Sequence, residues 1–144
     1  MTEAYDLSRF VRAQAGTYRQ AIAELRTGEK RTHWMWYVFP QITGLGRSEN
    51  ARLYAIRDVG EARSFLSHEL LGRRLRECTA AMLEWSGRRS PTEILGPIDA
   101  LKFRSSMTLF RVVDQAVDEL FARAVEAFWD GEGDRATLDR LAAA

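Results

Sequence analysis

The sequence predicts an all-α fold: a compact bundle of several short and medium helices with irregular connections, forming a single domain over residues 1–144. Apolar residues recur at helical spacing through most of the chain, and no strand-like alternation lasts long enough to predict a sheet. The length suffices for one sizeable core, and neither an internal repeat nor a low-complexity linker marks a domain boundary.

Two helices are predicted near the N-terminus. Asp6 can cap the first, Gly16 can break or bend the pattern, and Gly28 is a natural stop for the second. Their shared apolar face is formed by Leu7, Phe10, Val11, Tyr18, Ala21, Ile22 and Leu25.

Residues 34–39 are all apolar and are halted by Pro40. A run this short fits either a buried strand or a buried helical turn, because periodicity cannot separate the two. The glycines of 43–47 predict a loop, after which Ser48 can cap a helix, and the capping-box spacing of 58–61 begins another. These two helices are predicted to carry Leu53, Tyr54, Ile56 and Leu66.

The clearest predicted helix has an apolar stripe that spans about 80° at 100° per residue. The stripe consists of Leu71, Leu75, Cys78, Met82 and Trp85. Cys78 is the single cysteine, which excludes an internal disulfide framework, and its place in the stripe predicts a buried structural thiol. Arg74 lies at the edge of the stripe, where its side chain either extends outward to solvent or points into a pocket.

Four further helices are predicted toward the C-terminus. The segment 90–93 combines an N-cap serine, a proline at the first helical position and a glutamate three residues after the cap. Residues 96–97 end this short helix and begin the next, and Asp134 can cap the last one. The helix between them is predicted from the spacing of Leu120, Phe121, Ala124, Val125 and Phe128.

The charge is nearly balanced, with 21 basic and 20 acidic residues and a formal net charge of +1. This balance argues against strong general affinity for nucleic acid. Residues 26–111 hold 15 basic and 9 acidic residues, whereas the two ends together hold 6 and 11. A basic middle can attract an anionic ligand to one face, although ordinary solvated helix faces are the simpler explanation.

The chain has no membrane-targeting pattern. No run approaches the roughly 20 apolar residues that cross a bilayer. The opening MTEAYDLSRF lacks the basic start and apolar run of a secretory signal. We therefore expect a cytoplasmic protein without a membrane partner.

The first of three polar clusters lies in residues 30–48. Lys30 and His33 stand beside two tryptophans, and aromatic faces beside cations suit planar anionic ligands such as nucleotides. Glycines near the end of the cluster would let backbone amides approach an anion, but their spacing matches neither a P-loop nor a dinucleotide fingerprint. The alternative is that Trp34 and Trp36 are simply core residues.

The second cluster surrounds His68, which can cap the stripe-bearing helix, and a lone histidine is more often structural than catalytic. The third cluster, 99–110, places Asp99, Lys102 and Ser106 on one helical face. Its hydroxyls can bind phosphate, form a buried polar network, or serve as caps at a helix kink.

The two histidines and one cysteine show neither HExxH nor paired CxxC spacing, so no metal site is predicted, and a GxSxG elbow is absent. If the protein is an enzyme, His33 or His68 is the candidate general base, with Lys102 or Arg74 holding an anion. No cofactor is identified. The predicted ligand-binding residues are Lys30, His33, Trp34, Trp36, Gln41, Ser48, Arg74, Asp99, Lys102, Ser105, Ser106 and Thr108.

Five blocks of the sequence together resemble domain-of-unknown-function family 1810. The blocks are KRTHWMWYVFPQITGLGRS at 30–48, EARSFL at 61–66, HELLGRRL at 68–75, DALKFRSSMTLF at 99–110 and GDRATLDRL at 133–141. The resemblance covers nearly the whole chain and implies a compact, mainly helical bacterial domain whose biochemical role is not established. The name calpastatin, sometimes given to such proteins, does not fit, because the chain has no protease-inhibitor repeat.

Two function classes follow from these clusters. The first is a pocket for a small anionic or nucleotide-like ligand, with or without catalysis, where the three clusters converge. The residues expected to meet there are His33, Arg74, Lys102 and Ser106. The alternative is a non-enzymatic protein-interaction module with an aromatic groove, which predicts an exposed apolar patch near Trp34 or Trp36. Nucleic-acid binding is the least favoured class because the charge is near neutral.

Overall fold

The computed structural model describes residues 5–143 and confirms the predicted all-α fold. Ten helices lie within these residues: α1 Ser8–Ala15, α2 Tyr18–Thr27, α3 Met35–Val38, α4 Glu49–Leu53, α5 Val59–Ser67, α6 Glu69–Leu83, α7 Pro91–Leu95, α8 Pro97–Val113, α9 Leu120–Trp129 and α10 Arg135–Ala143. The one β-type pairing in the same range is a parallel bridge between Ile42 and Ile56. No helix in that range is long and apolar enough to cross a membrane.

Helix α8 is the central element, because α5, α7, α9 and α10 all pack against it. Aromatic rings fill these contacts. The ring of Phe103 lies 4.8 Å from that of Phe39 and 5.6 Å from that of Trp129. Further along α8, the ring of Phe110 lies 5.6 Å from that of Phe65. Both α8 phenylalanines are fully buried, so this aromatic core holds the helix along its length.

Helices α1 and α2 form where the apolar spacing predicts them. The Asp6 carboxylate accepts a backbone hydrogen bond of 3.0 Å at the start of α1, and Gly16 separates the two helices. Gly28 ends α2, which packs along α6. Trp85, just after α6, also contacts α2, because its Nε1 donates a 2.9 Å hydrogen bond to the carbonyl of Leu25.

The apolar run 34–39 forms the single helical turn α3, so the helical alternative is the one that occurs. Val38 donates a backbone hydrogen bond of 3.2 Å to the carbonyl of Trp34, and Phe39 donates one of 3.0 Å to that of Met35. These bonds satisfy the backbone internally, and a strand partner is not needed.

The helix that follows Ser48 is shorter than the sequence predicts. Ser48 caps it as expected, but α4 ends at Leu53. The prediction that this helix carries Tyr54 and Ile56 is wrong. Ile56 is fully buried and its backbone pairs with the strand-like segment at Ile42, which an apolar spacing count along one helix could not reveal.

Asp58 caps α5 by accepting a 2.8 Å hydrogen bond from the amide of Glu61. The reciprocal half of the predicted capping box takes a different form. The Glu61 carboxylate accepts from the amide of Arg57 at 2.7 Å and forms an ion pair of 3.2 Å with Arg9. This pairing joins the start of α5 to α1, so Glu61 stabilises a tertiary contact as well as a helix end.

The remaining helix signals agree with the structure. Four of the five predicted stripe residues are buried in α6, whereas Trp85 lies beyond the end of the helix at Leu83 and is half-buried. Burial raises the pKa of the Cys78 thiol to about 12, which keeps it protonated and unreactive at neutral pH. Ser90 and Glu93 form a complete capping box at α7. At the start of α10, the Asp134 carboxylate accepts a 3.0 Å hydrogen bond from the amide of Thr137.

Candidate functional site

A cleft of about 370 Å³ opens between the segment that leads into α3 and the junction of α7 with α8. We call it the first cleft. Six of the predicted ligand-binding residues line it: Lys30, His33, Trp34, Trp36, Asp99 and Lys102. The first and third polar clusters therefore meet in space, although they are far apart in the sequence.

Two lysines share one carboxylate inside the first cleft. The Nζ of Lys30 lies 2.9 Å from one oxygen of Asp99, and the Nζ of Lys102 lies 3.5 Å from the other. The Lys30 side chain is only 7 % exposed, whereas that of Lys102 is 23 % exposed. Because two ammonium groups face one carboxylate, the group keeps an excess of one positive charge, and Lys102 is the more accessible cation.

Each of these lysines also lies over an aromatic ring. The Nζ of Lys30 is 5.2 Å from the ring centre of Trp34, and the Nζ of Lys102 is 4.7 Å from that of Trp36. Trp34 is 1 % exposed, so it belongs to the core and supports Lys30 from behind. Trp36 is half-buried, and its indole is therefore the accessible aromatic surface of the cleft.

The N-terminus of α8 faces the same cleft. Gly96, with a φ of 90°, makes the sharp turn from α7, and Pro97 occupies the first helical position. The next two amides, of Ile98 and Asp99, donate no hydrogen bond within the described part of the chain. Free amides and the dipole of this 17-residue helix add positive potential beside Lys102.

Lys30 and Lys102 are the only lysines of the sequence, since the other 19 of its 21 basic residues are arginines. Lysine offers a compact point charge on a flexible stem, and arginine offers a rigid planar fork. All remaining Lys or Arg positions of the chain hold arginine, and both lysines lie beside the same carboxylate, that of Asp99. This composition signal is visible in the sequence, but motifs and residue spacing do not reveal it.

A second cleft, of about 400 Å³, lies on the other side of Trp36 and Lys102. The start of α10 and the loop before α4 form its outer wall. Three more predicted ligand-binding residues line it: Gln41, Ser48 and Ser105. The two clefts share Trp36, Ile98 and Lys102, and we therefore treat them as neighbouring parts of one candidate site.

Arg74 lies outside both clefts, which corrects the expected convergence of three clusters. Its guanidinium lies 4.5 Å from the ring centre of Tyr18, and it donates a 3.3 Å hydrogen bond to the buried side chain of Gln14. The position at the edge of the α6 stripe therefore points toward α1 and α2. Arg74 joins three helices and does not face the lysines.

His68 is also outside both clefts and acts as a helix cap. Its Nδ1 accepts hydrogen bonds of 3.2 Å from the amides of Leu70 and Leu71 at the start of α6. Of the two candidate general bases, His33 lines the first cleft and His68 lines neither of the two clefts described above.

We expect His68→Ala to lower the free energy of unfolding by about 1 kcal/mol, because the amides at the start of α6 lose their acceptor. His68→Asn should recover most of this loss, since asparagine is a good N-cap residue. Urea denaturation of the three proteins measures both changes. Equal stability of the alanine and asparagine variants would contradict the capping role.

Three of the predicted hydroxyl ligands, Ser105, Ser106 and Thr108, are buried, and the last two line neither cleft. The Oγ of Ser106 has no partner within the described residues and is fully covered. Thr108 is fully buried and accepts a 2.9 Å hydrogen bond from the amide of Asp134. Both lie one turn or more farther along α8 than Lys102. The hydroxyls of Thr108 and Ser105 join α8 to the start of α10.

Glu24 is a residue of this region that the sequence analysis did not single out. Its carboxylate, on α2, accepts hydrogen bonds from the backbone of 31–32, from the side chains of Thr32 and Gln20, and from Nε1 of Trp34 at 2.9 Å. Burial alone would raise the pKa of Glu24, but these hydrogen bonds outweigh it and lower the pKa to about 2. Glu24 thus holds the backbone just before His33 and the indole of the residue just after it.

Among residues 5–143, no group of three or more histidine, cysteine, aspartate or glutamate side chains is arranged to hold a metal ion. Apart from the imidazole of His33 and the carboxylates of Asp99 and Asp134, the polar groups that line the two clefts are cations, amides and hydroxyls. Such groups bind anions and neutral polar ligands.

A model of the family described as "Protein of unknown function (DUF1810)" matches residues 4–141. Among solved structures, the chain is similar to the crystal structure of the conserved hypothetical protein Rv1873 from Mycobacterium tuberculosis. The two are 48 % identical, the match covers 97 % of this chain and 99 % of that one, and the TM-score is 0.92. No curated protein matches the chain.

Proposed function

We propose that this chain, which belongs to the DUF1810 family of proteins of unknown function, binds a small anionic ligand in the first cleft. The observation that carries the proposal is the convergence of both lysines of the chain on Asp99. A purely structural ion pair with Asp99 would need only one lysine. The second lysine leaves an unneutralised positive charge beside an open cleft.

The two lysines have different roles in this proposal. Lys30 is nearly buried and holds Asp99 at 2.9 Å, so it neutralises the carboxylate and prevents it from repelling an anion. Lys102 is more exposed and its contact with Asp99 is longer, at 3.5 Å. Lys102 and the free amides of α8 are then the groups that contact the ligand, by charge-assisted hydrogen bonds.

His33 lies at the exposed rim of the first cleft and is the candidate general base for any reaction on the bound ligand. Binding itself does not require this histidine. Catalysis is therefore an extension of the proposal, and the ligand-binding role can be tested without it.

We expect inorganic phosphate to raise the melting temperature of the wild-type protein at low ionic strength. At a concentration of about ten times the dissociation constant, the free energy of unfolding should rise by about 1.4 kcal/mol. For a chain of this size the corresponding shift is roughly 3–6 °C. Lys102→Ala should abolish the shift because it removes the accessible cation.

Arg73→Ala is the matched control for this experiment, because Arg73 is an exposed cation on α6 that lines neither cleft. Its phosphate shift should equal that of the wild type. The proposal fails if phosphate leaves the wild-type melting temperature unchanged, or if Lys102→Ala retains the full shift.

A second candidate function is a protein-interaction module, and one observation favours it. Ile98 and Leu101, on consecutive turns of α8 beside Trp36, are 71 % and 63 % exposed. Exposed apolar side chains that cluster around an aromatic ring are typical of interaction surfaces. This function does not require anion binding, so an absent phosphate shift would favour it over the first.

A further inference from the structure

We infer that the second cleft binds the planar, uncharged part of the same ligand, which makes a nucleotide the ligand class. The inference rests on the proposed function, because it takes the phosphate group to lie in the first cleft. Three features support it: the continuity of the two clefts, the apolar surfaces of the second, and a free amide side chain at its wall.

The two clefts can hold one ligand because Trp36 and Lys102 belong to both. A phosphate on Lys102 would leave the remainder of the ligand within reach of either side of Trp36. The volumes of about 370 and 400 Å³ are each near the lower limit of small-molecule pockets, and together they lie well inside the usual range.

The surfaces of the second cleft suit a flat heterocycle. Its apolar lining includes Leu45, Ala51 and Leu101, and the indole of Trp36 forms the wall toward the first cleft. Leu101 is 63 % exposed, so a bound ring would remove apolar surface from water. Stacking on an aromatic side chain is a common way of holding nucleobases, because every base has a π-face.

Gln41 supplies polar recognition in the same cleft. Its side chain is half-buried and has no hydrogen-bond partner within the described residues. A carboxamide offers one acceptor and two donors side by side, which matches the donor and acceptor edge of a base. Asp134, the acidic residue of this cleft, accepts from Ser105 and Thr137 through Oδ2. Arg47 also lines the cleft, so one acidic and one basic side chain offset each other there.

The test compares AMP, GMP, CMP and UMP with ribose 5-phosphate and adenosine, by isothermal titration calorimetry on the full chain. At least one nucleotide should bind about tenfold more tightly than ribose 5-phosphate, because the base adds stacking and a hydrogen-bonded edge. Adenosine should bind more weakly than AMP, since it lacks the group that Lys102 holds.

Two variants separate the inference from the proposed function. Gln41→Leu approximately keeps the side-chain volume. It should lower the affinity for the preferred nucleotide about tenfold, while the affinity for ribose 5-phosphate changes by less than about twofold. Lys102→Ala should weaken both. If ribose 5-phosphate binds and no nucleotide binds more tightly, or if Gln41→Leu weakens both ligands equally, the nucleotide inference is overturned and anion binding stands. If no phosphorylated compound binds, both proposals are overturned.

Discussion

Replacing Glu24 with alanine is expected to lower the free energy of unfolding by roughly 4 kcal/mol. Glu24 is 4 % exposed and accepts hydrogen bonds from Arg31, Thr32 and Trp34, so its removal leaves the buried Nε1 of Trp34 and two part-buried amides without their acceptor. The backbone around His33 would lose its anchor at the same time. Urea denaturation measures the stability loss, and the phosphate titration measures the accompanying loss at the first cleft.

Glu29→Ala is the matched control, because Glu29 lies just beyond α2 and forms only an exposed ion pair of 3.3 Å with Arg31. Exposed pairs contribute little, so this variant should stay within about 0.5 kcal/mol of the wild type. Similar losses for the two variants would show that Glu24 does not organise this region.

The pH dependence of stability gives an independent measurement of the same group. Because folding lowers the pKa of Glu24 to about 2, its contribution is fully present above the ordinary glutamate pKa and is lost as the pH falls toward 2. Glu24→Gln cannot titrate, so its stability should fall less steeply than that of the wild type between about pH 4.5 and 2. Parallel curves for the two proteins over that interval would contradict the role of the ionised carboxylate.

Glu24 also illustrates what the sequence can and cannot reveal about the site. Its place within the apolar stripe of α2, between Ala21 and Leu25, indicates a buried carboxylate, but the spacing gives no sign of its partners. Apart from Gln20, which lies one turn earlier on α2, those partners lie in the irregular segment 31–34, whose path no local pattern determines. The helices themselves were predictable because caps such as Ser90 and the stripe of α6 are local signals.

The arrangement of the polar clusters depends on helix packing and could be predicted only in part. The 30–48 and 99–110 clusters meet because α7 and α8 turn sharply at Gly96 beside the entrance to α3. Arg74 is directed away from them because α6 packs its adjoining face on α2. Of the two tryptophans, Trp34 is a core residue and Trp36 is accessible. Their positions within one continuous apolar run do not show which of them is buried.

Gly72→Ala is expected to destabilise the protein by about 3 kcal/mol, although alanine is the better helix former by about 1 kcal/mol. The reason is the close approach of α5 to α6. A Cβ atom at Gly72 would overlap the carbonyl oxygen of Leu66, and a backbone atom cannot rotate away as a flexible side chain can. Relief of the clash requires α5 to shift, and α5 also packs against α8. Thermal and urea denaturation would measure the loss.

Gly16→Ala is the control, because Gly16 has a φ of −99° and no atom within 4 Å of the position where its Cβ would lie. That substitution should be neutral or slightly stabilising, since alanine reduces the conformational freedom of the unfolded chain. The sign of the stability change at Gly72 decides whether helix propensity or the steric contact between α5 and α6 controls this position. If Gly72→Ala were about 1 kcal/mol more stable than the wild type, helix propensity would control this position. A clear loss would show that the contact between α5 and α6 requires a residue without a side chain.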